Sequence, residues 1–295
     1  MSLRANFLMV IVLVGIIGVP GALCQTSFGL DKRDGHYFMS TTVNGVDDTE
    51  IFVETGFSAL TLCEADYQRL LASSVIEALD LEPDKKLYMD HGVLDVVSAY
   101  DAKVRIGGLC YDGPVHVVKA YDKIAVPVHM LRNETDTAAT LIRLDFKNKT
   151  MDYVRREAVD LDNLHLYNIV KYAPYPTFEA TLQLSDTYGH SGEITGNWIF
   201  DLGSGTSIYF FRKCMARFIK ENKFKVLRSK DKQGNAVGQG IFARYCKVGE
   251  QKAAGIPIGI SNRLWFDYAL GLVGPSFFNK GYVVIDPEKN KIYYK

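Results

Sequence analysis

Short apolar runs alternate with polar turns along the chain, and one pair of runs recurs. Ile51-Phe52-Val53 leads into Glu54-Thr55-Gly56-Phe57-Ser58 and then Ala59-Leu60-Thr61-Leu62. Trp198-Ile199-Phe200 leads into Asp201-Leu202-Gly203-Ser204-Gly205-Thr206-Ser207 and then Ile208-Tyr209-Phe210-Phe211. Each reads as a strand of β-branched and aromatic residues, an acid on a glycine-bearing turn, and a second strand. Leu144–Tyr153 and Ile285–Tyr294 add a second match, each a strand, an Asn-Lys turn and a strand. Their leading acids follow the first pair at similar distances, 145 − 54 = 91 and 286 − 201 = 85. Two matches in one order at near-equal spacing mark a long-period repeat.

Each repeat opens with a strand: Tyr37–Val43 before Asn44-Gly45, and Phe178–Leu184 before Ser185-Asp186. Further strands are expected at Lys103–Ile106, Val115–Val118 and Gly240–Tyr245. Helical spacing is confined to Glu64–Leu71 with Ser73–Leu79, and to Arg212–Asn222. Arg155–Tyr175 is dense in Asp, Asn and Tyr, is closed by Pro174 and Pro176, and reads as a linker with limited regular structure. The expected organisation is a first half at 35–157, a linker at 158–173 and a second half at 174–295.

The first 24 residues stand apart. Arg4 supplies a positive start, and Phe7–Val19 is an unbroken run of apolar residues and Gly, ended by Pro20-Gly21. A membrane-spanning helix needs about 20 apolar residues. The shorter run fits a signal peptide cleaved after Cys24, hence an exported protein, periplasmic or extracellular, without a stable membrane span. A retained anchor and a lipid-bearing Cys24 are the alternatives. Composition agrees with a globular protein: 295 residues, 47% hydrophobic and 23% charged. With 34 basic and 34 acidic residues, no charge excess points to nucleic acid or an anionic membrane as partner.

The repeat resembles the aspartic peptidases, the retropepsin-like and pepsin-like group with two halves in one chain. It covers roughly residues 35 to 295. The second half carries the closer match, with Asp201-Leu202-Gly203-Ser204 at the acid turn and Leu272-Val273-Gly274 where that family places the segment that crosses behind it. The resemblance implies a mainly β fold: two pseudo-symmetric half-barrels with a cleft between them. It also implies a monomeric endopeptidase acting on extended peptide or protein, with no cofactor and no metal. Glu54 and Asp201 would be the catalytic carboxylates. Thr55, Gly56, Ser58, Leu202, Gly203, Ser204, Leu272, Val273 and Gly274 would form the supporting loops. Tyr88 and Gly234 would belong to hairpin flaps.

The chemistry explains the pattern. Two carboxylates about 3 Å apart cannot both ionise, so they share a proton; one activates a water and the other protonates the carbonyl oxygen. Two residues and one segment depart from the family pattern. Glu54 stands for Asp and moves its carboxylate by about one carbon–carbon bond, ~1.5 Å, where a misplacement near 1 Å can cost on the order of 100-fold in rate. Leu202 stands where the family has a hydroxyl that braces the two loops, whereas Thr55 is kept. Val126-Pro127-Val128 replaces the apolar-apolar-Gly segment in the first half. The alternative function is a non-catalytic cleft binding a peptide, glycan or partner protein.

Other motifs add little. Gly203–Ser207 lacks the Lys of a phosphate-binding loop, and a strand follows where a helix should. The six His are scattered without metal-ligand spacing. Past Cys24, Cys63, Cys110, Cys214 and Cys246 permit three disulfide connectivities or four buried thiols. By their positions in the repeat, the expected pairs are Cys63–Cys110 and Cys214–Cys246. Asn133-Glu134-Thr135 and Asn148-Lys149-Thr150 are glycosylation sequons.

Overall fold

The two terminal hairpins form by the same local device. Asp145 Oδ1 accepts the amide of Asn148 at 2.8 Å, and Asp286 Oδ1 accepts that of Lys289 at 3.0 Å. In each turn the next residue, Lys149 (φ 57°) or Asn290 (φ 53°), is left-handed. An Asp at a strand end that captures a nearby amide nucleates such a turn without tertiary help. The computed structural model describes residues 26–295 except 83, 90–91, 172–174, 231, 235, 263–265 and 279–280. The expected signal segment and Cys24 therefore lie outside the described residues.

The first part of the chain contains β1 (Thr26–Gly29), β2 (Asp31–Arg33), β3 (His36–Val43), β4 (Val46–Glu54), β5 (Leu60–Cys63), α1 (Glu64–Leu70) and β6 (Val75–Leu79). It continues with β7 (Lys86–Met89), β8 (Gly92–Ile106), β9 (Leu109–Val118), β10 (Ala125–Pro127), β11 (Leu131–Asn133), β12 (Leu141–Asp145) and β13 (Thr150–Val154). Then come β14 (His165–Lys171), β15 (Thr177–Asp186), β16 (Ser191–Phe200), β17 (Ile208–Phe211), α2 (Arg212–Glu221) and β18 (Leu227–Lys230). The chain ends with β19 (Ala236–Val248), β20 (Gln251–Ser261), β21 (Gly271–Val273), β22 (Tyr282–Asp286) and β23 (Lys291–Tyr294). The protein is mainly β. Among the described residues no helix is long and apolar enough to cross a membrane.

A 13-stranded sheet contains a closed barrel: β15, β16, β21, β17, β20 and β19 pair in that order, and β19 returns to β15. In the 10-stranded sheet the order is β3, β4, β10, β5, β9 and β8, with β3 meeting β8 at Val43 and Ile106. Both series place parallel pairs at the same points. β4 runs parallel to β10 and β16 to β21; β5 runs parallel to β9 and β17 to β20. The acids sit where the first of these pairs ends, with Glu54 opposite Pro127 and Phe200, next to Asp201, opposite Val273.

The two terminal hairpins meet edge to edge. β12 pairs antiparallel with β22, with Leu144 opposite Val283, giving the strand order β1-β13-β12-β22-β23-β14. Arg156 reaches across this sheet to the fully buried carboxylate of Asp286 at 2.5 Å. Trp198, Phe200, Phe210, Tyr111 and Tyr153 lie in the main core, each at most 1% exposed.

Three expectations are corrected. The linker is not irregular: β14 pairs with β23 and β15, burying Tyr167 and Ile169 while Leu166 and Val170 face solvent. Ser73–Leu79 is not helical; after a 3-10 turn, β6 pairs along β8, and that long partner strand outweighs the helical spacing. Neither expected disulfide forms. Cys63 lies opposite Val118 on β9, eight residues from Cys110, or about 26 Å at ~3.3 Å per residue, far beyond the ~7 Å a disulfide tolerates. Cys214 points to the Phe266 carbonyl at 3.6 Å, whereas Cys246 is fully buried in the main core.

Candidate active site

Asp201 and Glu54 converge from the two acid turns. A Cβ built on Gly56 would lie 2.8 Å from both Asp201 Oδ1 and Glu54 Oε1. Each carboxylate is held by its own turn in the same manner: Gly203 N donates to Asp201 Oδ1 at 2.9 Å, and Gly56 N donates to Glu54 Oε1. Thr55 N adds a further bond to Glu54 Oε1 at 2.8 Å.

The two acids are not placed alike. A Cβ on Gly203 would lie 1.5 Å from Glu54 Oε2, against the 2.8 Å that separates Gly56 from Asp201 in the reciprocal relation. The extra methylene of Glu54 lets Oε2 reach the Gly203 loop while Oε1 stays bonded to its own turn. Gly203 is required there, because any side chain would occupy the volume of that carboxylate.

Burial, the Asp201 charge and a hydrogen bond to Asp201 together hold the Glu54 carboxyl well above its ordinary value. Burial also raises Asp201, but its bond with Glu54, the Gly203 amide and nearby His36 oppose the rise. Both carboxyls are thus held above their ordinary values, and the pair shares a proton.

The supporting loops are joined through Thr55. Its hydroxyl donates to Phe200 O at 3.0 Å and accepts from Leu202 N at 2.9 Å. Leu202 is 1% exposed and belongs to the main core. Behind the Asp201 turn, Val273 O accepts Asp201 N at 3.1 Å, and Gly274 N donates to Ser207 O at 2.9 Å. A Cβ on Gly274 would strike Thr206 O at 2.2 Å, so the crossing segment needs Gly. Val126-Pro127 takes the corresponding place in the first part and runs beside Val53 and Glu54 without a glycine.

Ser204 is buried against Thr206, whereas Ser58 is exposed. Ser58 does not support the loop as expected, because Phe57 holds the position after the glycine and lines the cavity instead.

Both acids open into a cavity of about 360 Å³. The β7–β8 hairpin stands over it on a cluster of Phe38, Phe52, Leu94 and Val96. From this hairpin Met89 lines the cavity. Tyr88 pairs with Val93 on the backbone, and its side chain lies outside the described residues, as do Asp90 and His91. Gly234 lies in the β18–β19 connection and does not line the cavity.

Several wall residues carry no signal along the chain: His36, Tyr121, Lys123, Tyr175 and Phe266. Tyr175, at the end of the Arg155–Tyr175 stretch, lies near enough to Asp201 and Glu54 for their charges to add to the burial that pushes its hydroxyl up to about 12. Among the described residues no cluster of three or more His, Cys, Asp or Glu could hold a metal.

No model of a known family and no curated protein matches the chain. Among solved structures, it resembles an aspartic proteinase from Irpex lacteus at 13% identity and a TM-score of 0.55, over 92% of this chain and 96% of that one. The similarity is distant and structural: the chain shares the fold of a pepsin-like aspartic proteinase.

Proposed function

We propose that this chain is an exported aspartic-peptidase-fold protein that binds an extended peptide between two half-barrels related by approximate two-fold symmetry, at 35–157 and 174–295. Efficient hydrolysis is lost. The position of the Glu54 carboxylate carries this reading. Hydrolysis needs a water between the two carboxylates and a proton free for the scissile carbonyl. Here Glu54 Oε2 lies on the Gly203 loop, 1.5 Å from where a Cβ of that residue would stand, so its carboxylate is displaced from the position an Asp would hold.

The cleft remains suited to binding. Aromatic side chains of Phe57, Tyr121, Tyr175, Tyr209 and Phe266 line it, and polar backbone is present at Gly56 and Gly203. Such a mixture of apolar wall and few polar groups is typical of binding sites.

A second reading, a slow endopeptidase favoured by acid, rests on the retention of two carboxylates that share a proton. Incubation of the purified protein with a mixed peptide library from pH 3 to 7, read by mass spectrometry of bound and released material, separates the two. Retention of peptides without new termini supports binding. Turnover that Asp201→Asn abolishes supports the peptidase. Neither retention nor turnover overturns both.

A further inference from the structure

A second concavity of about 360 Å³ lies between α2 and the strands β18, β19 and β20, away from the carboxylates. Arg212 and Lys220 from α2, Lys223 just beyond it and Arg228 from β18 line it. No Asp or Glu among the described residues does so. Phe224, Val226 and Ile260 give it an apolar floor. The chain as a whole is neutral, with 34 basic and 34 acidic residues, so four cations around one hollow are a local concentration of charge.

Two acids of the adjoining segments are engaged elsewhere. Glu221 pairs with Arg217 at 2.7 Å, and Asp186 accepts His190 and the Lys225 amide. Arg212 is anchored without being neutralised. Its Nη1 donates to Gln239 Oε1 at 2.7 Å, and Gln239 Nε2 in turn donates to Asn262 Oδ1 at 3.0 Å.

Two ordinary explanations fall short. Compensation of the helix dipole accounts for Lys220 and Lys223 at the C-terminal end of α2. It does not account for Arg212, at the N-terminal end where a cation is unfavourable, or for Arg228 on the strand. Basic residues also protect edge strands such as β18 from unwanted pairing. That role requires neither an apolar floor nor a guanidinium fixed over a hollow.

We propose that this concavity binds a phosphate or sulfate monoester carried on an apolar body. The planar forks of Arg212 and Arg228 suit the oxyanion, since guanidinium pairs with such groups through two parallel hydrogen bonds. Lys220 and Lys223 add charge, and the floor takes the hydrocarbon or aromatic part. The volume falls within the ~300–1,000 Å³ of small-molecule sites. The ester is either a free metabolite or a lipid headgroup, which share this chemistry.

Calorimetric titration with octyl phosphate, inorganic phosphate and octanol tests the site, alongside sedimentation with vesicles containing phosphatidic acid. Octyl phosphate is expected to bind more tightly than inorganic phosphate, octanol not to bind, and added salt to weaken the complex. Arg212→Gln and Arg228→Gln are each expected to weaken binding by about tenfold or more, the loss of a charge-assisted hydrogen bond. Lys147→Gln with Lys289→Gln removes twice the charge of either arginine variant from the exposed hairpin turns and is expected to change nothing. Octyl phosphate binding without vesicle binding assigns the site to a soluble ester; vesicle binding lost in the arginine variants assigns it to a headgroup. The proposal is overturned if neither ligand binds, or if binding is equally weakened by the hairpin-turn variant. Circular dichroism of each variant separates lost binding from lost fold.

Discussion

Thr55 bridges the acid turns in one direction: its hydroxyl accepts from Leu202 N and donates to Phe200 O, while the Leu202 side chain is buried in the core. Among the described residues this link between the two acid turns runs through the Thr55 hydroxyl. Thr55→Val should leave a buried donor and a buried acceptor without partners, at a cost of about 1–3 kcal/mol for each group stranded. Chemical denaturation measures it, and a loss below a few tenths of a kcal/mol would contradict the brace.

Shortening Glu54 should reverse its reach onto the Gly203 loop. Glu54→Asp withdraws the carboxylate from Gly203 by about 1.5 Å and makes room between the acids. Peptide cleavage at acid pH is expected to appear or to rise by at least about tenfold, given that ~1 Å can be worth about 100-fold. Adding Asp201→Asn to the same chain should abolish it. An assay showing no gain from Glu54→Asp would mean that geometry at this residue is not what limits hydrolysis.

The same carboxyl sets a pH dependence of stability. Glu54 keeps its proton in the folded protein above the ordinary value of about 4.5. Its favourable contribution is complete below that value and is lost as pH rises through the folded-state value. Glu54→Gln, which never ionises, should raise the melting temperature at pH 7 and leave it nearly unchanged at pH 4. Equal shifts at both pH values would contradict a raised Glu54 carboxyl.

His116 acts in the opposite sense. Burial, aided by the charge of Lys85, lowers its imidazole to about 4 from an ordinary 6.5, and Nδ1 has no partner among the described residues. Stability should fall as pH drops from about 6.5 to about 4, because the unfolded chain takes up the proton first. His116→Leu should flatten that part of the profile. A slope unchanged by the substitution would show that other groups govern it.

The sequons are distinguished by burial. Asn133 is 4% exposed and spends its amide on Thr26 Oγ1, Thr135 N and Asp136 N. Asn148 lies exposed in the β12–β13 turn. In a eukaryotic secretory host, mass spectrometry should find glycan on Asn148 and none on Asn133 in the folded product. Occupied Asn133 in that product would count against the packing described around β11.

What could be read from the sequence was what local chemistry determines. Acid turns need a close-approaching glycine, and an Asp at a strand end fixes a hairpin turn, so Asp201, Gly203, Asp145 and Asp286 all announced themselves. The helix at Arg212–Glu221 carried its own spacing. Strand partners decided the rest. β14 was obscured by the Asp- and Asn-rich stretch before it, and β6 has helical spacing but lies along β8. The register of β5 on β9 separates Cys63 from Cys110, which no spacing along the chain reveals. The cleft walls at His36, Lys123, Tyr175 and Phe266 come from distant segments, and their convergence is a tertiary property.

The seam between β12 and β22 gives the connecting segment a purpose beyond length. A chain severed between Val154 and His165 would leave each piece with an open strand edge whose amides and carbonyls seek a partner. The edge of β12 would meet that need in a second copy of its own fragment, antiparallel, as a two-fold dimer. Covalent continuity turns this encounter into a closure within one molecule, independent of concentration. The two acid turns consequently face each other in every molecule at any dilution, and unlike residues such as Glu54 and Asp201 can diverge without ever meeting their own copies.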